Sequence, residues 1–264
     1  MSQEFFAKAY ELIRKNEPFA VATVVQIEGS SAAKPGAKAI ISERGETLWG
    51  WVGGGCAESL VAQNALESLH DETPRVIEID LTDEVLGAGM PCGGKMFVYI
   101  EPVLPKPHLL IVGHGAIAES LAHLAQRLDF RVTIDDPLAQ AERFQGCQIV
   151  TDDLDFSKLE ITPRTYVVIA TQHKSDHLAL EKVLERPARY VALIASRKRA
   201  GLVLEYLRAR GVPEDKLHQI RAPAGLEIGA ITPDEIALSI LSEIVAVRRG
   251  VPQAHPSNLL GGRE

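Results

Sequence analysis

The chain has 264 residues, 46% of them apolar, and its 28 basic and 35 acidic side chains leave a net charge of −7. That balance excludes a general nucleic-acid binder, which needs a basic face to displace counterions, and the apolar content excludes a disordered chain. No apolar run approaches the roughly 18 residues of a membrane span, and the charged start, residues 1–17, lacks the apolar stretch of a signal peptide.

These features predict a soluble cytoplasmic protein with no stable membrane insertion. In chain order, Phe5, Phe6, Ala9, Leu12 and Ile13 recur at helical spacing and predict a helix over 3–15. A β-branched run at 20–27, strands near 37–42 and 47–52, a helix after Cys56, and strands at 75–81 and 95–100 complete a mixed α+β domain. Three prolines, Pro102, Pro105 and Pro107, then mark a linker, because proline lacks the amide hydrogen that a central strand needs. Beyond it strand and helix alternate: strands at 109–112, 131–135, 148–150, 166–170 and 190–195, helices at 116–128, 139–144, 176–186 and 198–210. Alternation of this kind predicts a parallel sheet covered on both faces. A last helix, 236–248, starts after Thr232-Pro233-Asp234-Glu235, and its Ile236, Ile240, Ile244 and Val247 form an apolar face for a core or a dimer seam.

The expected fold class is therefore α/β: a C-terminal Rossmann-like parallel-sheet domain, 108–250, preceded by a smaller α+β domain, 1–101. A linker, 102–107, joins them, and a polar tail, 251–264, follows. The charge divides unevenly: residues 1–107 hold 9 basic and 15 acidic side chains, or −6, and residues 108–264 hold 19 and 20, or −1.

The strand at 109–112 runs into Gly113-His114-Gly115-Ala116-Ile117-Ala118 and at once into a helix. The first glycine permits the tight turn, the second lets backbone approach a pyrophosphate, and the helix start offers free amides to an anion. Asp135-Asp136 ends the next strand, and Asp135 is the carboxylate expected at a ribose hydroxyl. Two further loops fall at the same edge. Gln172-His173-Lys174-Ser175-Asp176 holds His173, either an oriented imidazole beside Asp176 or an exposed residue before a capped helix. Ser196-Arg197-Lys198-Arg199 is either a phosphate-holding cation cluster or a solvated helix start.

The cysteines are three: Cys56, Cys92 and Cys147. An odd, low count without a CxxC pair argues against disulfides and structural zinc. Gly53-Gly54-Gly55-Cys56 places a thiol after three glycines at a helix start, where amides and the helix dipole favour thiolate. Pro91-Cys92-Gly93-Gly94 repeats the theme where a strand begins. Together they suggest an anion or sulfur site, with small buried turn residues as the alternative. Cys147 has no such setting and reads as structural.

These stretches resemble the XdhC/CoxI family, accessory factors of xanthine dehydrogenase and other molybdenum hydroxylases. The resemblance rests on 22–30, 34–37, Gly54-Gly55-Cys56-Ala57-Glu58 and Pro91-Cys92-Gly93-Gly94. In the second domain it rests on the glycine turn, 195–199, Ala222-Pro223-Ala224-Gly225-Leu226-Glu227-Ile228-Gly229-Ala230 and 232–240. It implies a chaperone without turnover of its own that binds molybdenum cofactor while a sulfurtransferase installs the sulfido ligand, then delivers it to the apo-enzyme. The implied partners are that molybdenum hydroxylase and a cysteine desulfurase, and the resemblance together with the C-terminal apolar helix points to a homodimer. On this reading Cys56 and Cys92 act at the metal end, with Gly54, Gly55, Glu58, Gly93 and Gly94 around it. Gly113, Gly115, Asp135, His173, Ser196, Arg197 and Lys198 hold the phosphate or nucleotide end. Two alternatives remain: an NAD-dependent oxidoreductase, which leaves the Gly-Cys loops without a role, and a thiol sulfurtransferase working through Cys56 or Cys92, which leaves the nucleotide turn without one.

Overall fold

The computed structural model describes residues 3–81, 94–151, 153, 156–171 and 176–251, with the Cys56 side chain outside that description. The chain divides into two units, Met1–Pro105 and Lys106–Glu264.

In the first unit the order is α1 (Gln3–Arg14), β1 (Phe19–Glu28), β2 (Lys38–Ser42), β3 (Thr47–Gly50), α2 (Cys56–Asp71), β4 (Arg75–Asp80) and β5 (Lys95–Val103). The strands form one antiparallel sheet in the order β3-β2-β1-β5-β4. Side chains alternate across a strand, so β1 sends Ala20, Ala22 and Val24 to one face and Phe19 and Val21 to the other. On the first face they meet Ala57, Val61, Ala65 and Leu69 of α2, together with Val98 and Ile100 of β5. On the second, Phe5 and Leu12 of α1 pack on Phe19 and Ile40, and the Phe5 ring meets Trp49 edge-on at 5.4 Å. Only part of the expected α1 stripe is used: Phe6 and Ile13 are exposed. β5 continues through Pro102 to Val103, past the point where proline was expected to end it. There it pairs with β1 alone, because β4 begins opposite Ile100, so the missing amide hydrogen removes no β4 rung.

The second unit runs β6 (His108–Val112), α3 (Ala116–Arg127), β7 (Arg131–Asp135), β8 (Gln148–Val150), β9 (Thr165–Ile169), α4 (Asp176–Val183), β10 (Tyr190–Leu193), α5 (Arg197–Ala209), α6 (Glu214–Leu217), β11 (Ile220–Arg221) and α7 (Pro233–Arg248). Its six strands are all parallel, in the order β11-β10-β9-β6-β7-β8, which is the doubly wound arrangement of two mononucleotide-binding halves. Strands β6, β9 and β10 are buried along their whole length, as a sheet covered on both faces requires. One face carries α3 and α7, through Ala118, Leu121, Ile240 and Ile244. The other carries α4 and α5, through Leu180, Val183, Val203 and Leu207.

The sequence expectations differ here in three places. Residues 139–144 form successive turns rather than a helix, and Arg143 there reaches back to Glu119 of α3 at 2.6 Å. The two-residue β11 and the single-turn α6 were not foreseen. The apolar face of α7 packs on α3 and the sheet within this unit, which is the core alternative of the two expected. Thr232 caps α7 through a capping box with Glu235. Among the described residues no helix is long and apolar enough to cross a membrane.

His108 opens β6 inside this core, 5% exposed, with Nε2 2.9 Å from Thr133 Oγ1 and Nδ1 3.5 Å from Thr165 Oγ1. Burial, aided by the Arg131 charge, pushes its pKa down to about 4 from 6.5. The unfolded chain therefore takes up this proton first. The stability contribution is complete above pH 6.5 and is lost as pH falls towards 4, to a limit of roughly 3 kcal/mol. Urea titrations from pH 7 to pH 4 should show that slope, and H108Q, which keeps polar contacts but does not titrate, should flatten it.

Candidate functional site

The strand order of the second unit's sheet reverses between β6 and β9, the point at the carboxyl ends of the strands where ligands bind in open sheets of this kind. Gly113 leaves β6 with φ 138, a conformation that L side chains rarely adopt, and a Cβ there would overlap the Ala170 carbonyl oxygen. Its N–H donates to Asp135 O at 3.2 Å, while Ala170 N–H donates to Val112 O at 2.7 Å, so the turn is wedged between the ends of β7 and β9. Gly115 is the N-cap of α3 and supplies no side-chain acceptor, which leaves the first-turn amides available to an anion.

The two acidic residues after β7 have different surroundings. Asp135 is 7% exposed and engaged within the fold; Val132 and Ile134 point to the α3 side, so Asp135 points to the other. Asp136 lies beside the turn. Its Oδ1 accepts from Leu138 N–H at 2.8 Å and stands 2.9 Å from His114 Nδ1, an approach without hydrogen-bond alignment. Asp136 is thus the carboxylate adjoining the glycine turn. The alternation of Val132, Thr133 and Ile134 is the signal that separates it from Asp135.

The cation loop is mostly committed to the fold. Ser196 is the N-cap of α5, its Oγ accepting from Arg199 N–H at 3.3 Å. Arg199 donates Nη2 to Asp176 Oδ2 at 3.2 Å, and Asp176, 1% exposed, also accepts from the Thr171 hydroxyl. Asp176 therefore ties the β9 exit to α5. Arg197 pairs with Glu227 at 2.8 Å on the surface. Lys198 is exposed and has no carboxylate partner among the described residues. His173 lies outside the described residues.

Beyond β11 the segment 222–231 turns back over the sheet edge. Ala224 N–H donates to Leu193 O at 3.0 Å and Leu226 N–H to Ser239 O at 3.3 Å. Gly225, with φ 92, packs so closely on α7 that a Cβ would overlap the Ser239 hydroxyl. Its N–H donates at 2.9 Å to Oε2 of Glu243, a fully buried carboxylate on α7 that also accepts from the Tyr190 hydroxyl at 2.6 Å. Burial first, then the Glu243 charge, raise the Tyr190 pKa well above 10, so this hydroxyl stays a donor. Between this segment and the β10 exit lies a groove of about 380 Å³, lined by Ile194, Arg197, Gly225, Glu227 and Ile236 among others. Sequence reading noted the Ala222–Ala230 stretch but assigned no role to Glu227 or Glu243.

In the first unit, Cys56 is the first residue of α2, after an N-cap, Gly55, that offers no side-chain acceptor. Glu58 accepts from the Thr47 hydroxyl at 3.1 Å on the surface. Gly94 precedes β5, where a Cβ would stand 2.5 Å from Glu28 O, and its carbonyl accepts from Leu81 N–H at 2.8 Å. A Cβ on Gly53 would reach within 3.5 Å of Met96 Cε, so the Gly53–Cys56 turn and the start of β5 share one end of the sheet. Cys92 and Gly93 lie outside the described residues. Cys147 is half-buried, its Sγ accepting from Gln126 Nε2 at 2.9 Å, and burial raises its pKa. No metal-binding group of His, Cys, Asp and Glu occurs among the described residues.

Residues 12–80 match the XdhC and CoxI family, and residues 109–244 match the XdhC Rossmann domain. Escherichia coli K12 YqeB is 33% identical over 96% of this chain, which spans about half of YqeB, 49% of its length. A Bacillus subtilis 168 protein, named as one probable subunit of xanthine dehydrogenase, is 23% identical, over 91% of this chain and 96% of its own. The molybdenum cofactor insertion chaperone PaoD of Escherichia coli K12 is also 23% identical, over 91% and 86%. A crystal structure titled as a xanthine dehydrogenase from Bacillus halodurans superposes with a TM-score of 0.50 at 23% identity, covering 98% of this chain and 100% of that one, a likeness of fold.

The Glu243 contacts have a measurable consequence. Removing the Tyr190 hydroxyl (Y190F) deletes a bond to a charged group and should cost roughly 1.5–3 kcal/mol. E243A, which leaves both the Gly225 amide and the Tyr190 hydroxyl without this acceptor, should cost more. Urea denaturation of the two variants beside the parent checks the order.

Proposed function

This chain belongs to the XdhC and CoxI family, and on that footing we propose that it acts in the maturation of a molybdenum hydroxylase. It binds the molybdenum cofactor as cargo, supports its sulfuration by a cysteine desulfurase, and passes it to the apo-enzyme. The similarity to PaoD, named for inserting that cofactor, along 91% of the chain is the observation that carries this reading.

The residues present suit the cargo's chemistry. The cofactor ends in a phosphate, or in a pyrophosphate and nucleotide, and the first turn of α3 behind Gly113 and Gly115, whose N-cap makes no side-chain cap, offers backbone amides to an anion. Lys198, at the same sheet edge, adds a cation without a competing carboxylate among the described residues. For a ribose, the adjoining acceptor is Asp136, whose Oδ1 is oriented by Leu138 N–H. The sulfur and metal end calls for soft ligands and backbone donors, and the glycine turn into Cys56 at the start of α2 offers both residue types. Nicotinamide dinucleotides could use the same turn, but the relative whose name specifies a cofactor, PaoD, is named for molybdenum cofactor.

The test is anaerobic co-expression with cofactor synthesis, purification of the full chain, and quantification of released pterin and molybdenum. The parent protein should retain both, and C56A and C92A should each retain several-fold less. Equal retention by all three returns the cysteines to a packing role. A parent protein that holds no pterin, or that turns over NAD(H) with a small alcohol or aldehyde, overturns the chaperone reading.

A further inference from the structure

The glycine turn lies at one half of the second unit's sheet edge. At the other half is the groove past β10 and β11. Its volume of about 380 Å³ lies at the low end for small-molecule sites, enough for one flat ring system and too small for a whole dinucleotide. The floor is apolar, from Ile194, Ala195 and Ile236, which suits the face of a heterocycle. The wall at 224–226 is held at three points, by Leu193 O, Ser239 O and Glu243 Oε2, so the recess is formed before any ligand arrives.

The rim decides the chemistry. Arg197 Nη2 donates to Glu227 Oε2 at 2.8 Å, with both side chains about 70% exposed at 73% and 71%. An ion pair so exposed contributes little to stability, and a ligand can replace it at small cost. Once parted, a carboxylate that accepts two hydrogen bonds stands next to a guanidinium that donates two. That array complements a ring edge with a carbonyl oxygen followed by a ring N–H and an amino group. Adenine and cytosine offer only one donor group on the corresponding edge and leave a Glu227 oxygen unmatched.

We propose that this groove binds the 2-amino-4-oxopyrimidine edge shared by pterins and guanine, with Glu227 accepting from the ring N–H and amino group and Arg197 donating to the carbonyl oxygen. The choice of a pterin as the natural occupant rests on the chaperone reading; the edge recognition does not.

Binding of the fluorescent probe neopterin to the full chain tests it, with GMP and AMP as competitors. E227Q, which substitutes an amide for the carboxylate at an exposed position, should weaken neopterin roughly tenfold. R197M should weaken it less, and AMP should compete poorly against the parent protein. Neopterin binding tighter than GMP identifies a pterin site, and the reverse order a guanine-nucleotide site; both support the edge assignment. Equal neopterin binding by the parent and E227Q, or AMP competing as well as GMP, overturns it. Glu227-dependent neopterin binding in a protein that retains no molybdenum cofactor would keep the groove and discard the chaperone.

Discussion

A single buried carboxylate holds together the part of the second unit that carries the 222–231 segment and the groove beside it. Glu243 sits on α7 with no solvent exposure and accepts from Tyr190 on β10 and from Gly225 beyond β11. A charge in that position is costly unless it is hydrogen-bonded, so the three elements must meet in one geometry. The segment 222–231 has little regular structure of its own and takes its path from these contacts. Its neighbours follow: Ala224 joins the end of β10, Leu226 joins α7, and Glu227 is carried to the rim beside Arg197.

The opposite half of the same edge depends on a close backbone approach instead. Gly113 presses on the Ala170 carbonyl at the point where the sheet order reverses, and α3 departs from there with its first turn uncapped by a side chain. One half of the sheet therefore exposes backbone donors suited to phosphate. The other offers an apolar recess with a charged rim.

Much of this was legible in the sequence. The glycine turn, its strand and its helix follow from local chemistry, as does the Thr232–Glu235 capping box of α7. Alternation of strands and helices was enough to imply a parallel sheet. The failures have a common cause. Residues 139–144 have an apolar pattern that suggests a helix, yet their bonds go into successive turns and an ion pair to Glu119. β11 is two residues long and exists because β10 offers it a free edge. Arg197, Lys198 and Arg199 form one basic run in sequence, but Arg199 is drawn to Asp176 and Arg197 to Glu227, residues distant along the chain.

The sequence by itself determined the alternation of strands and helices, the Rossmann turn and the position of Cys56 at a helix start, because each depends on residues a few positions apart. Tertiary structure decided the surroundings of each carboxylate. Asp135 and Asp136 are neighbours of the same chemistry, and packing of the folded sheet buries the first and leaves the second beside the turn. Glu227 and Glu243 look alike as residues; one is exposed at a groove and the other is buried beneath it. Burial and partners at long sequence separation set what a charged group does, and those exist only once the chain has folded.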